Sequence, residues 1–112
     1  MEQNGWNKNE LYGYFHFANP QGEYGNHGNI TSISNASGEY HIYSMEWTDE
    51  IIKILIDDKE FVSLINNGNV PYDNRHYLLL NIAIGGNLGG DIDPSFSQDR
   101  MEIDYVRVFQ KE

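Results

Sequence analysis

At 112 residues the chain has room for one domain, which at this size buries roughly two-thirds of the surface its unfolded form exposes and so supports a single core. Seventeen acidic side chains against seven basic ones give a formal charge of −10, which argues against nucleic acids and anionic membranes as partners, since both require clustered cations. That balance suits a neutral ligand such as a glycan, a bound cation, or simple solubility, and the absence of cysteine excludes disulfides and thiolate chemistry.

Eight Tyr, five Phe and two Trp are separated by eleven Gly and many Asn, the punctuation of short strands. Glu10 to Ala18 alternates, setting Leu11, Gly13, Phe15 and Phe17 on one face and Tyr12, Tyr14 and His16 on the other. Pro20 to Gly28 reads as a Gly- and Asn-rich loop. Tyr40 to Thr48 reads as a strand with His41, Tyr43, Met45 and Trp47 on one side. Ile51 to Asp57 and Glu60 to Ile65 form a predicted hairpin about Asp57-Asp58-Lys59, and Asn66 to Asn74 is a loop carrying Pro71. His76 to Ile84, HYLLLNIAI, is apolar almost throughout and is predicted to be a strand covered on both faces. It stops at a glycine loop, Gly85 to Gly90, and Arg100 to Phe109 alternates as a last strand. Spaced strands with Gly-rich turns and no amphipathic helix predict an all-β sandwich. No apolar run approaches the ~20 residues of a membrane-spanning helix, and the polar opening residues do not read as a signal peptide. The sequons at Asn29 and Asn35 are patterns short enough to arise by chance.

Three stretches, HIYSMEWTDEIIKILIDDK, YLLLNIAIGGNLGG and MEIDYVRVFQ, in this order and spacing, resemble glycoside hydrolase family 16, the laminarinase-like endo-β-1,3-glucanases. The resemblance covers essentially the whole chain. It implies a partial jelly-roll β-sandwich of the concanavalin A-like lectin/glucanase type, with residues 1–112 as the C-terminal portion of the catalytic domain and a glycan cleft on its concave sheet. The opening Met1-Glu2 resembles the end of that family's catalytic Glu-x-Asp-x-x-Glu strand, so Glu2 would be the general acid/base. The nucleophile and the assisting Asp would fall before the chain begins. Retaining glycosidases need two carboxyl groups about 5–5.5 Å apart, and one carboxyl group cannot run the cycle. The 112 residues are therefore expected to be inactive by themselves.

Each candidate residue also has a plainer reading. Glu2 is either the acid/base or an ordinary exposed terminal acid. His16 is either the cleft imidazole that the resemblance implies or a surface one. Trp6, in a Gly- and Asn-rich loop, suits stacking on a sugar, whereas Trp47 in an alternating strand is expected in the core. Asn81 interrupts an apolar run, so a structural role stands beside a substrate contact. Asp104 matches an Asp that in the family helps hold a calcium ion. Calcium takes six to eight oxygens, and its usual partners come from the family's N-terminal part, so that site is expected to stand empty; no cofactor is required. Leu88 stands where many relatives carry an aromatic in the glycine loop.

The expected ligand is thus a β-glucan polysaccharide or oligosaccharide, with no nucleic acid and no membrane, and the parent enzyme is expected to be secreted or periplasmic. A noncatalytic glycan-binding module is the rival reading. Unpaired strand edges and apolar faces also predict self-association.

Overall fold

The computed structural model describes residues 1–70 and 72–110. They divide into two units, Met1–Tyr77 and the residues from Leu78 onward. The first unit holds two three-stranded antiparallel sheets. One has the order β1 (Glu2–Gln3), β2 (Glu10–Ala18), β3 (Tyr24–Ser32), and the other β4 (Tyr43–Trp47), β5 (Ile51–Ile56), β6 (Lys59–Ile65). The predicted all-β class holds, and the strands expected over 10–18, 40–48, 51–57 and 60–65 all form, with β4 shorter at both ends.

Alternation decides which face of each sheet is buried. Leu11, Gly13 and Phe15 point inward from β2, and Ile52, Ile54 and Ile56 from β5. Phe15 sinks among Ile52, Ile54 and Val62, flanked by Phe61, Leu64 and Tyr72. The β5–β6 hairpin turns through Asp57 and Asp58, whose φ values of 49° and 63° are those of a two-residue type I′ turn. Further along, Ile54 pairs with Val62 but Leu55 pairs with Glu60, so Phe61 is an extra residue in β6. This bulge lets Phe61 and Val62 both approach Gly13. A Cβ added to Gly13 would lie 2.5 Å from Phe61 Cζ and 3.0 Å from Val62 Cγ1. The Phe61 carbonyl accepts the Asn29 side-chain amide at 3.0 Å.

Four expectations need correction. Only the first part of the predicted Pro20–Gly28 loop is a loop, since β3 begins at Tyr24. Its Gly- and Asn-rich sequence has little strand propensity of its own, and the nine-residue ladder offered by β2 overrides that. Asn19 staples the connection, its Oδ1 accepting the N–H groups of Gln21 and Glu23 at 3.0 and 2.8 Å. Second, the stretches 76–84 and 100–109 are not in strands, and their side chains are exposed, Leu79 at 74% and Phe109 at 87%. A strand is a pairing, and among the described residues neither stretch has a ladder partner. Third, Gly86–Gly89 of the predicted glycine loop form one short helical turn, α1, closed by the Gly90 N–H on the Gly86 carbonyl. Fourth, Trp47 is not in the core. Tyr43, Met45 and Trp47 do share the inward face, pairing with Ile56, Ile54 and Ile52. Yet β4 is an edge strand, and these side chains remain 46, 54 and 39% exposed. Pro71, expected in the 66–74 loop, lies outside the described residues.

His41 ties the segment before β4 to the β5–β6 turn. Its Nδ1 lies 2.8 Å from Asp57 Oδ2, while Asp57 Oδ1 accepts the Ile42 N–H at 2.9 Å. The Asp57 hydrogen bond raises the imidazole pKa against the opposing effect of burial, and the nearby Asn35 carbonyl adds a smaller push. The His41 bond and the Ile42 N–H lower the Asp57 pKa.

Two predictions follow from this packing. Gly13→Ala should destabilise the first unit by about 1–3 kcal/mol through overpacking. Phe61→Leu should recover part of that loss in the double variant, so that thermal melts show the two changes to be non-additive. The His41–Asp57 pair should impose a pH window. A raised imidazole pKa stabilises fully below the ordinary value of about 6.5, and that stability is lost as pH rises through the folded value. A lowered carboxyl pKa stabilises above about 3.9, lost as pH falls through its folded value. Tm should therefore peak between these limits, and His41→Gln should flatten the profile.

Candidate functional site

The register of the first sheet assembles its outer face. Glu2 lies directly opposite Tyr12, and residues opposite one another in an antiparallel pair share a face. Since Leu11, Gly13 and Phe15 are committed to the core, Tyr12, Tyr14 and His16 must point the other way. From β3, Ile30 faces outward opposite Tyr12, Gly28 opposite Tyr14, Asn26 opposite His16 and Tyr24 opposite Ala18.

The aromatic side chains form a row. Tyr14 and His16 stack with ring centres 6.2 Å apart and planes 23° from parallel, and His16 and Tyr24 stack at 6.0 Å and 22°. His16 Nδ1 and the Tyr24 hydroxyl share a hydrogen bond of 2.7 Å. Tyr14 lies against Gly28, where a Cβ would meet its Cγ at 2.5 Å, so glycine is what admits the ring. At the other end of the row the Tyr12 hydroxyl donates to Glu10 and accepts the Asn4 side-chain amide at 3.1 Å. Asn4 is buried, and its Oδ1 takes the Asn7 N–H at 2.8 Å. The Asn7 amide in turn reaches the second oxygen of Glu10 at 3.0 Å. The Glu10 hydrogen bond, then burial and the Glu10 charge, raise the Tyr12 pKa and keep the phenol neutral. This network fixes the β1–β2 connection and so holds Glu2 in its pairing with Tyr12.

The predicted residues are distributed unevenly. Glu2 and His16 share the outer face, but their levels are four residues apart along β2, about 14 Å at ~3.4 Å per residue. Trp6 sits in the turn between β1 and β2 with 61% of its surface exposed. Asn81 and Asp104 belong to the unit that begins at Leu78, and both are exposed. Among the described residues no three His, Cys, Asp or Glu side chains cluster as metal ligands. Asp104 by itself supplies too few of the six to eight oxygens calcium takes. Sequence reading gave no role to Tyr14 or Tyr24. Tyr14 carried a signal, the outward half of the β2 alternation, whereas Tyr24 was hidden in a stretch that resembles a loop.

Flat rings beside carboxylates and an Asn amide suit a hydroxyl-rich ligand with apolar C–H faces, which stacks on the rings and hydrogen-bonds at their edges. The sequence and fold of the chain are similar to those of several known proteins. Over 116 aligned residues and 98% of its length the chain is 34% identical to the clotting factor G alpha subunit of Tachypleus tridentatus, of which it spans 17%. It is 30% identical over 98% of its length to a beta-glucanase of Rhodothermus marinus, of which it spans 43%. The chain is therefore less than half the length of either relative. The crystal structure of LamAcat from Zobellia galactanivorans superimposes on 84% of the chain with a TM-score of 0.79 and 48% identity, the match covering 38% of that protein. A variant of LamA, solved in complex with laminaritriose and laminaritetraose, matches equally well. The fold is accordingly the laminarinase-type jelly roll. The model of the glycosyl hydrolases family 16 matches residues 1–107, and the chain belongs to that family.

Proposed function

We propose that the outer face of the first sheet is part of the substrate cleft of a retaining endo-β-1,3-glucanase, and that residues 1–112 are the C-terminal portion of its catalytic domain. The observation that carries this reading is the pairing of Glu2 with Tyr12, which sets a carboxylate at the head of the aromatic row. In that role Glu2 protonates the leaving glycosidic oxygen and later deprotonates the attacking water, while a second carboxylate forms the glycosyl-enzyme bond. Tyr14, His16 and Tyr24 stack on and hydrogen-bond successive sugars, with Trp6 and Asn81 as further contacts.

These 112 residues bind a β-glucan without cleaving it. Glu10 is a second carboxylate on the face, but Tyr12 and Asn7 occupy its two oxygens, so it is not free to attack an anomeric carbon. A polymeric substrate fits a secreted or periplasmic parent enzyme. The exposed Leu79, Val108 and Phe109 favour self-association of the chain when it is expressed alone.

Calorimetry with laminaritetraose should show saturable binding that weakens about tenfold, or ~1.4 kcal/mol, in Tyr24→Ala or His16→Ala. No reducing sugar should be released above the blank. Turnover abolished by Glu2→Gln would overturn the account of a chain that binds without cleaving. Light scattering at rising protein concentration should record association that Val108→Lys with Phe109→Lys reduces. A monodisperse, cooperatively melting monomer would count against self-association.

A further inference from the structure

An open hollow lies at the end of the β4–β6 sheet and shares no residue with the aromatic row. Its volume is about 650 Å³, within the roughly 300–1,000 Å³ of small-molecule pockets, and Trp47, Asp49, Asn66, Asn67, Tyr72 and Asp73 line it. Its wall is already fixed. Trp47 Nε1 donates to the Tyr72 carbonyl at 3.1 Å, and His76 meets the indole edge-on at 5.3 Å. Asn66 donates to the carbonyls of Thr48 and Tyr72 at 3.0 and 3.2 Å and accepts the Tyr72 N–H at 3.0 Å. The Tyr72 hydroxyl donates to the His16 carbonyl at 2.5 Å, anchoring this wall to the other sheet.

Other groups are uncommitted. Asp49 makes no hydrogen bond through its side chain among the described residues. Asn67 uses only its Oδ1, on the Asn69 N–H at 2.9 Å, and Asp73 only one oxygen, on Asn74 at 3.1 Å. A held, part-exposed indole beside free carboxylate oxygens and a free amide offers a stacking surface with hydrogen-bond partners at its edge. Among the described residues no Lys or Arg lines the hollow, and its two carboxylates repel anions. An apolar protein surface laid over it would bury those carboxylates unpaired, at a heavy desolvation cost. Neutral, hydroxyl-rich ligands remain.

We infer that this hollow is a second saccharide-binding site, which takes a short neutral glucan segment stacked on Trp47 and hydrogen-bonded to Asp49, Asn67 and Asp73. The class of ligand rests on the function proposed above; the position of the site does not. Two sites on different sheets let one chain grip two stretches of a polymer, and effective concentration then raises retention beyond either site alone.

The test uses the full chain with Trp6→Phe, which leaves Trp47 as the sole indole. Titration with laminaritriose should give a saturable change in its emission. That change should need about tenfold more ligand after Asp49→Ala or Asn67→Ala, and should persist when His16→Ala and Tyr24→Ala disable the first face. Melting curves identify any variant that fails to fold, and Asn67→Ala serves where Asp49→Ala does so. Emission that stays flat while calorimetry still records binding would overturn the second site and leave the proposed cleft standing. A change lost with His16→Ala and Tyr24→Ala, but insensitive to both variants in the hollow, would also overturn it. Neither emission change nor heat would overturn the glucan reading, and this inference with it.

Discussion

The first unit depends on a close approach between a missing side chain and a surplus residue. Gly13 has no Cβ, and β6 carries one residue more than its partner strand, so Phe61 and Val62 crowd the space a side chain on β2 would fill. Sheets packed face to face stand about 10 Å apart, and rings such as Phe15 and Phe61 fill that gap only where the opposite strand yields. The bulge would normally leave a carbonyl without a partner, a cost comparable to a lost hydrogen bond. Asn29 removes that cost from the neighbouring sheet. Close packing and polar satisfaction therefore meet at one seam.

The outer face is a consequence of that seam. Once the odd-numbered residues of β2 are committed inward, the period of two leaves Tyr12, Tyr14 and His16 outside, and pairing fixes which residues of β1 and β3 join them. Tyr72 adds a second tie. Its ring packs edge-on against Phe15 and Phe17, and its backbone is bound to Asn66. Its hydroxyl reaches the carbonyl of His16, the residue at the middle of the aromatic row. Burial raises the Tyr72 pKa and keeps this hydroxyl a donor, although the bond itself works slightly the other way. The inner ring thereby steadies the strand that displays the outer ones.

How much of this the sequence discloses depends on whether the determinant is local. The faces of β2 and the β5–β6 hairpin were legible because alternation and a two-residue turn are written in neighbouring residues. β3 was not, because its residues become a strand only on the ladder β2 provides. Residues 76–84 and 100–109 show the converse, with the composition of strands but no strand ladder among the described residues. Trp47 is intermediate, since alternation identified its face correctly while its exposure is set by what lies across from an edge strand. On the outer face, Glu2 and His16 were singled out through motif resemblance and alternation put Tyr14 on the same side as His16, but placing Tyr24 there required the register.

Most of the aromatic row rides on a single hairpin. Tyr12, Tyr14, His16 and Tyr24 all lie on β2 and β3, joined by the loop that Asn19 staples. Contacts so near in sequence close small loops, which costs little chain entropy and favours early formation. The outer aromatic surface is thus a short-range product of the chain, whereas the core behind it depends on long-range docking of the other sheet. The two faces of β2 alternate residue by residue, so outward positions of this hairpin can change while the inward ones, Leu11 and Phe15 among them, keep the fold.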